Sequence, residues 1–191
     1  MIIGVVGEAG SGKDAITDYL RDEKGFHIYS LSNTLSNVLE DLTLPPDNRE
    51  LKIALGNSLR STFGDIVLAI AARDFIDQHK SENIAIASIR NPSELIHMRD
   101  VYQAKIIGVN MPDKKRFELM QKRDRPGDPQ TWDEFMALKE IESGIGQDKS
   151  GQQIKLCMDL AHVIIENDGE LEDLYRKVDR EVSGQRRGER I

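Results

Sequence analysis

Residues 7–16, GEAGSGKDAI, contain glycines and a lysine at a spacing that suits phosphate binding. Gly7, Gly12 and Lys13 fill the defined positions of the pattern G-x-x-x-x-G-K-[ST]. Glycines let such a loop turn its backbone N–H groups inward around an anion, a conformation that a Cβ would obstruct. The lysine can then bridge the terminal phosphates of a nucleotide. The spacing predicts a nucleotide phosphate site made of Gly7, Glu8, Ala9, Gly10, Ser11, Gly12, Lys13, Asp14 and Ala15; the alternative is a glycine-rich turn between a strand and a helix.

Asp14 departs from that pattern, because the position after the lysine normally carries a magnesium-binding hydroxyl. A carboxylate beside a triphosphate is repelled unless a cation lies between them, and Asp is itself a good oxygen ligand for Mg²⁺. The later strand Ile84–Ile89 carries no acid that could serve as the usual second magnesium group. We therefore expect Asp14 to be the metal ligand. The alternative is that its charge only favours the start of a helix.

Short apolar runs alternate with amphipathic stretches around this loop. The runs predict five strands, at Ile2–Val6, Phe26–Leu31, Ile84–Ile89, Lys105–Val109 and His162–Glu166. The stretches between them have helical spacing, with a break expected at Phe63-Gly64-Asp65. Such alternation predicts a three-layer α/β/α fold with a five-stranded parallel sheet. Ligands of such sheets bind beyond the carboxyl ends of the strands, where the glycine loop begins.

Length and composition set the remaining limits. The chain has 191 residues, which suits one domain, predicted at residues 1–180, with a disordered polar tail at 181–191. A net charge of −7 offers no general attraction to nucleic acid or anionic membranes, so neither is expected as a partner. No apolar run is long enough to span a bilayer, and the start lacks the features of a secretory signal. We expect a cytoplasmic protein, monomeric or homodimeric.

Four segments together resemble the P-loop nucleotide-kinase-like ATPases, near dephospho-coenzyme A kinase and the nucleoside monophosphate kinases. They are GEAGSGKD, ASIRNPSEL, RFELMQKRDRPGDPQTWDEF and HVIIENDGELEDL. The likeness extends over residues 1 to 178 and is closer still to small archaeal and viral kinase-like proteins. It implies transfer of the γ-phosphoryl group of ATP, with Mg²⁺, to a small-molecule acceptor. It also implies a helical acceptor-binding part at 32–80 and a small helical lid at 113–142.

The resemblance also assigns roles to individual residues. Arg90 matches an arginine that faces the acceptor, and Arg60 matches one that anchors the acceptor's phosphate. Arg123 and Arg125 match lid arginines that close over the transferred group, and with Lys13 and Arg90 they form the expected catalytic set. Asn167 and Gly169 match a turn that brackets the adenine ring. The chain departs from the family pattern at Ala87-Ser88, where an acid is usual, which leaves the general base unassigned.

Three functions fit these features. The first is an ATP-dependent kinase acting on a nucleotide, nucleoside or coenzyme-like acceptor. The second is a partner-regulated ATPase in which the basic segment contacts a macromolecule. The third is a nucleotide-binding module without turnover, which the missing strand acid would permit.

Overall fold

The five strands of the described chain form one parallel sheet in the order β2-β3-β1-β4-β5. The protein is represented by a computed structural model that describes residues 1–123 and 125–183. The strands are β1 (Ile2–Val6), β2 (His27–Ser30), β3 (Ile84–Ala87), β4 (Lys105–Asn110) and β5 (Val163–Glu166). The predicted strands and the three-layer fold are confirmed, with ends that differ by at most two residues.

Ten helices of the described residues surround this sheet. They are α1 (Lys13–Lys24), α2 (Leu31–Asp41), α3 (Arg49–Phe63), α4 (Val67–Ala71), α5 (Arg73–Gln78), α6 (Pro92–Tyr102), α7 (Asp113–Arg123), α8 (Trp132–Ser143), α9 (Ile154–Asp159) and α10 (Leu171–Ser183). Helices α1 and α10 supply Ile16, Leu20, Leu174 and Val178 to the core on one face of the sheet. Helices α2, α4, α5, α6 and α9 supply apolar side chains to the other face.

The strand order places β1 at the centre of the sheet, between β3 and β4. Gly4 of β1 lies opposite Ile86 of β3 and Ile106 of β4. The chain builds one half of the sheet with β2 and β3 and the other half with β4 and β5. The loop after β1 therefore emerges in the middle of the carboxyl edge, where parallel sheets bind their ligands.

Local signals explain the starts and ends of several helices. Asn91 and Glu94 form a reciprocal capping box at α6, with Pro92 in the first turn. Gly64 has a φ of 101° and ends α3, which confirms the break expected there. Thr131 caps α8 by accepting a hydrogen bond from the N–H of Glu134.

Two features of the fold differ from the sequence prediction. The six-residue helix α9 was not predicted, and it places the side chain of Cys157 in the core, where burial raises the pKa of the thiol to about 12. The predicted tail begins too early, because α10 continues to Ser183 and Glu181 pairs with Lys105 at 2.8 Å. The rest of that tail, 184–191, lies outside the described residues. In the ranges that the structure covers, no helix combines the length and apolar character that a membrane crossing requires.

Candidate nucleotide and acceptor site

The glycine loop has the backbone conformation that anion binding requires. Gly10 has a φ of 77° and Gly12 a φ of 98°, both in the left-handed region that favours glycine. A Cβ at Gly10 would lie 3.0 Å from the Cγ of Met120, so a side chain there would also crowd α7. Gly12 precedes α1, and no described side chain caps the first turn of that helix. Free N–H groups and the positive end of the helix dipole therefore point toward the loop.

Side chains from three other parts of the chain form hydrogen bonds to the backbone of the loop. From α7, Arg116 donates from Nε to the carbonyl oxygen of Ala9 at 2.9 Å and pairs with the Glu8 carboxylate. From α8, Glu142 accepts a hydrogen bond from the Ala9 N–H at 2.8 Å. After β5, Asn167 donates from Nδ2 to the carbonyl oxygen of Ser11 at 3.0 Å. The loop is therefore held by long-range contacts before any ligand binds.

Lys13 lies in the first turn of α1 and lines the cavity beside the loop. Its Nζ donates to the carbonyl oxygen of Glu8 at 2.6 Å. Burial, together with the nearby charge of Arg90, lowers the pKa of Lys13 to about 8. An anion placed here would restore the charged form of the lysine. Ser11 adds a buried hydroxyl without a hydrogen-bond partner in the described residues.

A cavity of about 710 Å³ opens from this loop toward α2 and α3. Its wall includes seven basic side chains: Lys13, Arg49, Lys52, Arg60, Arg90, Arg123 and Arg125. Three acidic side chains share that wall: Asp14, Asp47 and Glu142. The protein as a whole has a net charge of −7, so the positive excess is local to the cavity. A wall of this kind suits a ligand with several negative charges.

Asp14 and Arg125, both predicted site residues, form an ion pair. Nη1 of Arg125 lies 2.8 Å from Oδ2 of Asp14, and both side chains are about 60% exposed. The cation beside Asp14 in the structure is thus a guanidinium from the segment that joins α7 to α8. No group of three or more His, Cys, Asp or Glu side chains among the described residues could hold a metal by itself.

Arg90 lies in the loop between β3 and α6 and lines the same cavity. Its Nη1 donates to Oε1 of Glu142 at 2.9 Å and to Oε1 of Gln152 at 3.1 Å. Burial alone would raise the pKa of Glu142. Arg90 and Lys13 outweigh burial, with help from the Ala9 N–H, and hold that pKa below its usual range. Glu142 is therefore an ionised, buried acid beside the phosphate loop.

Arg60 does not have the free guanidinium that the acceptor-anchor role implies. Its side chain is 3% exposed, and its Nε lies 2.7 Å from Oε1 of the buried Glu94. Its Nη1 donates to the carbonyl oxygen of Ser150 at 3.3 Å. One edge of Arg60 still belongs to the cavity wall. Its charge, however, is already compensated by the protein.

Arg123 shares one buried acid with a residue that sequence reasoning did not select. Asp128, whose side chain is fully buried, accepts from Nε and Nη2 of Arg123 at 2.6 and 2.9 Å. The same carboxylate accepts from Nη2 of Arg49 at 2.6 Å. Two cavity arginines from distant parts of the chain are thus positioned by one negative charge. Arg49 gave no sequence signal because it is the first residue of an ordinary amphipathic helix.

Asn167 lies beside the loop, and neither it nor Gly169 is among the described residues that line the cavity. Asn167 is 8% exposed and packs against Gly12, where a Cβ would collide with its amide. Its contact with Ser11 supports the loop. The adenine-bracketing role of the two residues stays a prediction.

Three serine hydroxyls lie together at or just beyond the carboxyl ends of β2 and β3, where the resemblance would place an acid. Ser30 lies 2.9 Å from Ser88, and Ser32 lies 3.3 Å from Ser88, as measured between the Oγ atoms. Ser88 has a φ of 62°, which is uncommon for a residue other than glycine. Ser32 and Ser88 both line the cavity. A buried acid that does line this cavity is Glu142, which the sequence did not single out because several acids of α8 look alike.

Comparison with known sequences finds relatives of similar length, although no family model matches the chain. A UPF0200 protein of Pyrococcus horikoshii is 29% identical over 192 residues, which cover 96% of each chain. A UPF0200 protein of Staphylothermus marinus is 28% identical over 182 residues, covering 92% of this chain and 87% of that protein.

Comparison with solved structures identifies the same fold. Shikimate kinase from Acinetobacter baumannii, in complex with shikimate, has a TM-score of 0.60 at 13% identity and covers 97% of this chain and 94% of its own. TT1252 from Thermus thermophilus has a TM-score of 0.59 at 19% identity, and the alignment covers 96% of this chain and 97% of TT1252. With the glycine loop at the centre of a five-stranded parallel sheet, these similarities show that the chain has the three-layer α/β/α fold that its resemblance to the P-loop nucleotide kinases implied.

Proposed function

We propose that this protein is an ATP-dependent kinase that transfers the γ-phosphoryl group to a small-molecule acceptor. The observation that carries the proposal is the composition of one cavity. The phosphate loop, Lys13 and six arginine or lysine side chains of other elements line the same space of about 710 Å³. Phosphoryl transfer needs mainly positioning and neutralisation of charge, and this wall offers both.

ATP fits the loop end of the cavity. Glycines in the left-handed region, an uncapped helix start and the buried hydroxyl of Ser11 all suit a phosphate. Lys13 is within the same wall and would contact the terminal phosphates. Mg²⁺ would be held by the phosphates, water and the Asp14 carboxylate, since the described residues contain no protein cage for it. When bound, Mg²⁺ neutralises charge on the transferred group.

The acceptor end of the cavity combines an apolar wall with cations. Leu31, Leu35, Ile53 and Leu68 supply the apolar surface. Arg49 and Lys52 supply charge; Lys52 pairs only loosely with Asp47, at 3.6 Å. An organic acceptor with an anionic group would match this lining. The shikimate complex found for a structural neighbour supports testing carboxylate acceptors as well as phosphorylated ones.

In the proposed reaction an oxygen of the acceptor, either of a hydroxyl or of a nucleotide's phosphate, forms a bond to the γ-phosphorus. The bond between that phosphorus and the β–γ bridging oxygen breaks and ADP leaves; where the acceptor group is a hydroxyl, its proton is released to solvent. Arg90 would contact the transferred group from β3, and Arg123 and Arg125 would do so from the segment between α7 and α8.

An acceptor screen tests this proposal. Purified protein with ATP and Mg²⁺ would be offered nucleoside monophosphates, deoxynucleotides, dephospho-coenzyme A and shikimate, with ADP release and phosphorylated product measured together. The kinase proposal expects ADP release that depends on one acceptor class, and its loss in Lys13→Ala. Release that ignores every acceptor but responds to a protein partner would favour the regulated ATPase. Tight ATP binding without turnover would favour the binding module.

A further inference from the structure

Two buried carboxylates bind Arg90, one at its backbone N–H and the other at its side chain. Glu94, which is fully buried, accepts a hydrogen bond from the backbone N–H of Arg90 at 3.1 Å and pairs with Arg60. Glu142 accepts from the Arg90 side chain at 2.9 Å. The second oxygen of Glu142 accepts from the N–H of Ala9, in the phosphate loop, at 2.8 Å. Glu142 therefore connects the end of β3 directly to the loop.

The burial of Glu142 is unequal to that of its partner. Its side chain is 2% exposed, whereas that of Arg90 is 27% exposed and reaches the cavity. A buried ion pair seldom adds stability compared with apolar packing, so a fully buried acid beside a binding loop calls for a functional reason. The end of β3 contains no acid of its own, and α8 brings one to this place.

We propose that Glu142 is a positioning residue for phosphoryl transfer. Its two oxygens would hold the Ala9 amide of the loop and the Arg90 guanidinium at a fixed distance from each other, beside the place proposed for the γ-phosphate. This inference rests on the proposed kinase function. Each oxygen of the carboxylate binds one of the two donors, so a single rigid group sets both directions. Since α8 belongs to the predicted lid (113–142), Glu142 also fixes that helix against the loop.

Other roles for Glu142 fit the contacts less well. A metal ligand would need an oxygen turned toward the ion, whereas both carboxylate oxygens of Glu142 already accept hydrogen bonds, one from Arg90 and one from the Ala9 N–H. A general base would need a higher proton affinity, whereas Arg90 and Lys13 hold the pKa of Glu142 low. A third role would be inhibitory, with the Glu142 carboxylate occupying the phosphate position until ATP displaces it. Displacement would require the side chain to leave a site in which it is almost wholly buried.

Glu142→Gln tests the role because it keeps the volume and removes one of the two acceptors. The amide NH₂ group of Gln would face a donor, either the Ala9 N–H or the guanidinium, so the two directions could no longer be set together. Glu140→Gln is the matched control: it lies on the same helix, its side chain is exposed, and it makes no described side-chain hydrogen bond.

The measurements separate the ground state from the transferred phosphoryl group. ADP binding and binding of ADP with magnesium and aluminium fluoride, which mimics the phosphoryl group in transfer, would be compared by calorimetry at pH 6.5. That pH lies below the pKa of Lys13, which is about 8. We expect Glu142→Gln to lose about 100-fold in affinity for the fluoride complex, and in kcat where an acceptor is known. ADP affinity should stay within about threefold, and Glu140→Gln should match the wild type.

Three results would overturn the role. The first is a variant that binds both ligands like the wild type. The second is a parallel loss of ADP binding and thermal stability, which would make Glu142 merely structural. The third is faster turnover together with tighter ligand binding, which would show that Glu142 inhibits the site by occupying it. If the wild type itself gains no affinity from aluminium fluoride and turns over with no acceptor, the kinase proposal has failed and the role of Glu142 fails with it.

Discussion

Two acid–arginine pairs flank the phosphate loop, and they differ in burial. Glu142 and Arg90 have side chains that are 2% and 27% exposed, whereas Asp14 and Arg125 are both about 60% exposed. The N···O distances are nearly equal, at 2.9 and 2.8 Å. Distance alone therefore does not describe what a pair can do. A buried pair is fixed before ligand binds, while an exposed pair can exchange its partner for a phosphate or a metal at little cost.

Breaking the buried pair should have the largest effect. Arg90→Ala leaves the Glu142 carboxylate without its main cation, so we expect the free energy of unfolding to fall by about 2 kcal/mol, less than for a fully buried pair because Arg90 is partly exposed. Turnover should fall about 1,000-fold, because in the proposed reaction the same guanidinium contacts the transferred group. Urea unfolding and acceptor-dependent ADP release measure the two effects.

The double variant Arg90→Ala with Glu142→Gln sharpens that result. Removing the buried charge as well should recover much of the lost stability but none of the turnover. If the single variant is as stable as the wild type, then Glu142 is not held as an ion by Arg90, and the contrast between the pairs disappears.

Arg125→Ala breaks the exposed pair, and its two effects should separate. Turnover should fall about 100-fold if Arg125 leaves Asp14 to contact the γ-phosphate. The melting temperature should stay within about 2 °C, since an exposed ion pair adds little stability. Calorimetric scans and steady-state rates test this together. An Arg125→Ala protein that fails to fold would show that the contact is structural.

Asp14→Ala should have a smaller effect, and one that depends on the metal. We expect Mg²⁺-dependent turnover to fall about 30-fold, because phosphates and water still hold the ion. Affinity for ATP without metal should be unchanged or higher, since a negative charge has been removed beside the triphosphate. Titrations of ATP with and without Mg²⁺ compare the two quantities.

Asp14→Ser is the control for that substitution, because it returns the hydroxyl that the pattern usually has and should retain most of the turnover. Equal losses of metal-free affinity and turnover in Asp14→Ala would instead support the alternative that Asp14 only favours the start of α1.

The sequence predicted the elements that depend on local pattern. Apolar runs indicated all five strands, and the glycine spacing located the loop before its structure was known. The sequence pattern could not predict the order of the strands in the sheet, because that order depends on pairing between distant segments. The short helix α9 was missed because six residues, Ile154–Asp159, are too few to show helical periodicity.

The site was predictable where it lies next to a motif and not where it depends on burial. Lys13 and Asp14 follow from the loop itself. Arg60 looked like a free anchor because its partner, Glu94, is 34 residues away in the chain. Glu142 looked like the exposed acids Glu134 and Glu140 of the same helix, and only tertiary packing separates them.

The pH dependence of ATP binding should show the smallest of these effects. It also tests the contrast between the buried and the exposed pair, because burial lowers the pKa of Lys13 as well. Its pKa of about 8 means that the lysine begins to lose its charge as the pH rises through 8, whereas the bound triphosphate favours the charged form. Binding should therefore take up a proton above pH 8, and Kd should rise by up to tenfold per pH unit there. Calorimetry in buffers of different ionisation enthalpy measures that proton directly. The control is Lys13→Arg, which stays charged throughout this range and should bind ATP without taking up a proton. A wild type that takes up no proton at pH 8.5 would mean that Lys13 is not desolvated. The two sides of the loop would then differ less than the exposure of their side chains indicates.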